Sequence, residues 1–150
     1  MKHLLTAAAL TLALNGGILL SACAVAHAAD TPAEAPAEDP GKTVPVNSKN
    51  WKQEVEDSDK PVLIDFWATW CGPCMKLGPN VAALSKEMTN VKFAKVNLDD
   101  SQDIADKFNV VIIPYLMVMY HGKKIAEYKE GYMEPDQLKK FVTDAVSKAK

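Results

Sequence analysis

The sequence predicts an α/β domain, with a mixed sheet of four to five strands and helices on both faces. Two observations carry this. At Val62–Trp67 an apolar run, Val-Leu-Ile-Asp-Phe-Trp, leads within a few residues into Cys71-Gly72-Pro73-Cys74 and then into a helical pattern. A short, nearly unbroken apolar run of this kind reads as a strand covered on both sides. Further on, strands alternate with helices and end in a hairpin, giving the order β-α-β-α-β-α-β-β-α. That order implies a sheet with parallel and antiparallel parts.

The elements follow in chain order. Met1-Lys2-His3 and the apolar run Leu4 to Leu20 read as a secretory signal. A retained membrane helix is the rival reading, and Gly16-Gly17 with the small residues after them weighs against it. Two processing routes fit the segment. Ala26-His27-Ala28 is a small-x-small site that makes residues 1–28 the signal, whereas Leu20-Ser21-Ala22-Cys23 resembles a bacterial lipobox that makes it 1–22, with Cys23 lipidated. Either route puts the domain outside the cytoplasm. Residues 29–43, rich in Pro, Ala and Glu, have too little apolar content for a core and read as a disordered tether. The folded domain is assigned to 44–150.

Thr43 to Val46 reads as a Pro-interrupted edge strand. Ser48 is placed to cap a helix through Trp51 and Val55. After the Val62 strand comes a helix presenting Leu77, Val81, Leu84 and Met88 on one face, with Pro79 inside it as a kink. Val91–Leu98 is a second apolar strand containing Lys95. Asp100 or Ser101 caps a short helix over Gln102–Phe108, and Asn109 stops it. Tyr115–Tyr120 is a strand, His121-Gly122 a turn, and Lys124–Glu130 the hairpin partner. The last helix starts at Pro135 and lines up Leu138, Phe141, Val142, Ala145 and Ala149.

Charge and composition exclude several functions. The formal net charge is -2, and every Lys/Arg position is lysine, so the bidentate fork that reads phosphates and base edges is missing. No nucleic-acid role is expected. The 3 cysteines are too few for a disulfide-stapled scaffold, and the 3 histidines lie too far apart to complete a zinc site with Cys71 and Cys74. No metal or cofactor is implied.

Cys-x-x-Cys between a strand and a helix points instead to redox chemistry. As a staple the pair is poor, because so short a loop stabilises a fold by only about 2 kcal/mol. As a dithiol it works, since a mixed disulfide on the first sulfur lies within reach of the second. Cys71, at the positive end of the helix, is the predicted nucleophile. Cys74, one turn in and more buried, is the predicted resolving thiol. Asp65 in mid-strand is costly to bury unless it is paired or its proton affinity is used. Lys95 in the neighbouring strand is its candidate partner. A structural ion pair is one reading; acceptance of the Cys74 proton by Asp65 is the other. Ile113-Pro114 opens a strand, and spacing alone favours the trans isomer.

Phe66-Trp67-Ala68, Trp70-Cys71-Gly72-Pro73-Cys74, Ile113-Pro114 and Gly131 together resemble thioredoxin from about Val44 to the C-terminus. The resemblance implies the thioredoxin fold, with Cys71 as nucleophile, Cys74 as resolving thiol, and Asp65 and Lys95 as a buried proton-handling pair. It implies that Pro114 is cis, that Trp70, Gly72, Pro73, Ile113 and Gly131 line the substrate groove, and that Pro79 is the family's kink. Met75 and Tyr115 depart from the lysine and threonine common in the family, Glu130 and Tyr132 flank Gly131 with bulk and charge, and Glu134 is a weak cap. The expected function is a monomeric thiol-disulfide oxidoreductase of the cell envelope that reduces exported proteins. A membrane thiol-transfer protein would supply its electrons. Two alternatives stay open, an oxidant or isomerase, and a client-binding chaperone module with incidental cysteines.

Overall fold

A computed structural model describes residues 43–149. The signal, both processing sites, Cys23 and the tether up to residue 42 lie outside them. Five strands form one sheet in the order β1-β3-β2-β4-β5. They are β1 (Thr43–Pro45), β2 (Val62–Trp67), β3 (Lys92–Asn97), β4 (Tyr115–Tyr120) and β5 (Lys123–Tyr128). The first three are parallel to one another; β4 runs antiparallel to β2, and β5 antiparallel to β4. Thr43, assigned above to the tether, already sits in the sheet opposite Phe93.

Three α-helices cover the sheet: α1 (Gly72–Glu87), α2 (Gln102–Lys107) and α3 (Pro135–Ser147). Alternation along the strands divides the core between two faces. Leu63, Phe93, Leu116 and Val118 pack with Leu77 and Val81 of α1 and Leu138 and Val142 of α3. Ile64, Phe66, Val96 and Met117 pack on the other side with Trp51, Val55 and, from α2, Ile104. β2 is central, and Val62–Phe66 are all buried, which is why the strand reads as a continuous apolar run.

Several local expectations change. The segment after β1 is a π-helical stretch, Lys52–Glu56, and Ser48 does not cap it. The Ser48 hydroxyl instead donates to Asp103, 55 residues away, while Asn47 closes the turn by accepting the Lys49 N–H at 2.9 Å. Asx turns of this kind compete with capping by nearby hydroxyls. Ser101 is the N-cap residue of α2, yet its side chain makes no capping bond. The Glu134 end of α3 is better closed than expected, because the Gln137 side chain reaches back to the Glu134 N–H at 3.2 Å. β5 ends at Tyr128, and Ala149 lies past the end of α3. Asn109 does stop α2, with a left-handed φ of 54°.

Candidate active site

Cys71 is the N-cap residue of α1, so the unpaired amides of the first turn converge on its side chain. The Cys74 N–H donates to Cys71 Sγ at 3.2 Å, and the Cys71 carbonyl accepts the Met75 N–H at 3.1 Å. Pro73 sits in that first turn, where its missing N–H leaves no helical bond unmade. The cysteines form a disulfide, with a sulfur–sulfur distance of 2.02 Å and Cα atoms 5.3 Å apart. The expected contrast in burial is slight in this oxidised form: Cys71 is 5% exposed and Cys74 is 3%. Gly72 and Pro73, between the two cysteines, are exposed.

Asp65 is 1% exposed and pairs in register with Lys95 across β2 and β3. Both occupy the sheet face that carries Leu63 and Phe93, the face covered by α1. A cleft of about 470 Å³ is lined by Asp65, Cys74, Gly78 and Lys95, together with Met75 and Lys86. The structure therefore brings the acid, the lysine and the second cysteine together. The Lys95 ammonium also stands 4.8 Å from the centre of the Trp67 ring, a contact that no pattern in the sequence announces.

The other predicted residues gather at the same end of the sheet. Phe66 pairs with Tyr115, so Pro114 arrives beside the end of β2, where the chain turns toward Cys71. The Ile113–Pro114 bond is cis, Pro114 is buried and Ile113 is half-buried. Gly131 follows β5 at that end and has a φ of 96°, which strains any residue with a side chain. Its loop is tied to α1 by Asn80, whose amide donates to the Met133 carbonyl and to Tyr132 Oη, each at 3.2 Å. Trp70 is 68% exposed, and its indole N–H donates to Asp99 at 3.0 Å, fixing an apolar face beside the disulfide. Asn80 and Asp99 carry no local signal for these roles, because each acts on a partner remote in sequence.

Tyr115 takes part in a separate polar cluster on the opposite sheet face. Its hydroxyl donates to Glu127 at 2.6 Å, and Lys124 donates to the same carboxylate oxygen at 2.5 Å. Burial, followed by the bond to Glu127, pushes the Tyr115 hydroxyl well above the usual phenol range. The Lys124 bond, followed by that of Tyr115, pulls Glu127 down to about 2.

Among the described residues, no group of three or more His, Cys, Asp or Glu side chains is placed to hold a metal ion. No helix among them is long and apolar enough to cross a membrane.

The family model for thioredoxin matches residues 42–144. The chain belongs to the thioredoxin family. Among similar curated proteins, a thioredoxin of Chlorobaculum thiosulfatiphilum is 35% identical over 107 residues, covering 71% of this chain and 98% of the relative. A thioredoxin of Rickettsia felis is 35% identical over 102 residues, covering 67% and 96%. One of Porphyra purpurea is 42% identical over 81 residues, covering 53% and 76%. As a thioredoxin-family member with Cys71 and Cys74 joined at the start of α1, the protein is a thiol-disulfide oxidoreductase. The thioredoxin fold predicted from the sequence is the fold observed.

Proposed function

We propose that the protein is a disulfide reductase of the cell envelope acting on exported proteins. The observation that carries the reading is the cleft that holds Asp65, Lys95 and Cys74 together behind the N-cap cysteine. In the reduced protein, helix-terminal amides stabilise the Cys71 thiolate. That thiolate attacks one sulfur of a client disulfide, forming a mixed disulfide and releasing the client's other sulfur as a thiolate. Asp65 takes the Cys74 proton, directly or through water, and Cys74 attacks Cys71 Sγ. The second client thiolate leaves, and two electrons have passed to the client. The protein is left with the Cys71–Cys74 disulfide.

Trp70, Ile113 and Gly131 would present the docking surface, with Pro114 meeting client backbone beside the sulfurs. The export signal expected over residues 1–28, or over 1–22 with Cys23 as lipid anchor if the lipobox is used, supports the compartment. Cytoplasmic reductases cannot reach that compartment, so re-reduction calls for a membrane protein that passes thiol electrons across the bilayer. The reduction potential of Cys71/Cys74 at equilibrium with glutathione tests the direction. Reference values are about -270 mV for a reducing thioredoxin and about -120 mV for a dedicated oxidant. A value near the first supports a reductase; one near the second makes the protein an oxidant.

A further inference from the structure

A glycine in the middle of a helix weakens it, and Gly78 lies in the second turn of α1. Its position has a counterpart across the cleft: a Cβ built on Gly78 would have the Lys95 ammonium as its nearest neighbour, at 3.7 Å. On the sheet side, the Trp67 ring lies 4.8 Å from the same nitrogen. Trp67 is two residues from Asp65 on β2, and so shares its face, and Asp65 is the in-register partner of Lys95.

We propose that Trp67 and Gly78 form a seat for the Lys95 ammonium, and that both are positioning residues for proton transfer from Cys74 to Asp65. Trp67 supplies a π face that attracts the ammonium. Gly78 keeps the helix side of the ammonium free of the methyl contact that a Cβ there would make at 3.7 Å. A cation held there keeps Asp65 ionised, and only ionised Asp65 can accept the proton. The charged and titratable groups facing Lys95 in the cleft are Asp65 from β2, and Cys74 and Lys86 from α1. The inference rests on the proposed role of Asp65 as proton acceptor.

The test is the pH dependence of mixed-disulfide resolution. Reduced protein is mixed with 5,5′-dithiobis(2-nitrobenzoate), and the second release of thionitrobenzoate reports the attack of Cys74 on Cys71. Trp67→Leu is expected to move the acid limb of this rate upward by about half a pH unit, a roughly threefold slowing on that limb, from the ordinary strength of a cation–π contact. Trp67→Phe, which keeps a ring face, restores most of the shift. Gly78→Ala moves the limb in the same direction while leaving the melting temperature no lower, which separates the effect from damage to the fold. With Lys95→Gln already in place, Trp67→Leu adds no further shift.

Unshifted limbs in Trp67→Leu and Gly78→Ala, alongside loss of the limb in Asp65→Asn, overturn the seat and leave the proton-transfer reading standing. A limb that survives Asp65→Asn overturns both. If Trp67→Leu does not fold, Gly78→Ala decides.

Discussion

The Cys74 backbone N–H donates to the Cys71 sulfur at 3.2 Å, so the proposed nucleophile caps the amide of the residue proposed to resolve it. This bond belongs to the first turn of α1 and depends on the Cys74 backbone, so it survives replacement of the Cys74 side chain. Cys74→Ser should therefore keep a reactive Cys71 and accumulate mixed disulfides with clients. Non-reducing electrophoresis and mass spectrometry would detect them. Cys71→Ser should accumulate none and lose thiol-disulfide oxidoreductase activity. Trapping through position 74 instead would reverse the two roles.

Trp70 is exposed, and Asp99 holds it in one orientation. Removing a fixed, exposed aromatic should affect large clients more than small disulfides, because only a large client covers that face. Trp70→Ala is expected to lower kcat/KM for a protein disulfide by roughly tenfold, with most of the loss in KM. Equal losses on a protein and on a small aromatic disulfide would show that Trp70 acts on Cys71 chemistry rather than on docking.

Tyr115 and Glu127 give the fold two pH limits. Glu127 is pulled down to about 2 from a reference of 4.5, so its stabilisation is complete above the unfolded value and is lost as pH falls toward 2. The carboxylate is more than a third exposed, and solvent screening brings its contribution to about 0.5 kcal/mol. The Tyr115 hydroxyl is pushed upward, so the folded state keeps its proton longer than the unfolded chain, and stability falls as pH rises above 10. Tyr115→Phe keeps the edge contact with Phe66 but loses the hydrogen bond, at about 1 kcal/mol. Melting curves from about pH 2 to 11 should show that variant without its share of the alkaline decline. Glu127→Gln should flatten the acid side.

Gly131 has a φ of 96°, and a Cβ built on it would meet nothing within 4 Å, so backbone strain rather than crowding opposes substitution. Gly131→Ala should cost roughly 1–2 kcal/mol of stability and weaken client binding through a displaced loop. Urea denaturation measures the first and client kinetics the second. A variant as stable as the parent would mean that the loop relaxes without strain.

Legibility follows the range of the interaction. β2 and β4 are readable because both are covered on two sides, and the apolar runs Val62–Phe66 and Tyr115–Met119 state that directly. α1 and α3 are readable from periodic apolar positions on their buried sides. Ser48 fits a local capping pattern that loses to Asp103, which only the fold brings near. Gly78 carries a signal of its own, since a glycine inside an otherwise good helix asks for a packing reason. Trp67 stands out in the sequence only as part of a motif.

By itself the sequence determined the reaction centre, because the thiol pair, the turn between them and the helix they open are contiguous. It also determined the two-sided sheet, through short-range alternation and periodicity. The tertiary structure alone decided what surrounds that centre, namely Lys95 over Trp67, Asn80 tying down the Gly131 loop and Asp99 holding Trp70, and it also decided, on the opposite sheet face, the bond from Tyr115 to Glu127. Each of these joins residues brought together by strand order or helix packing, and no pattern along a single element encodes such a meeting. The cis form of Ile113–Pro114 stands between the two, since the family resemblance implies it whereas the local sequence by itself favours trans.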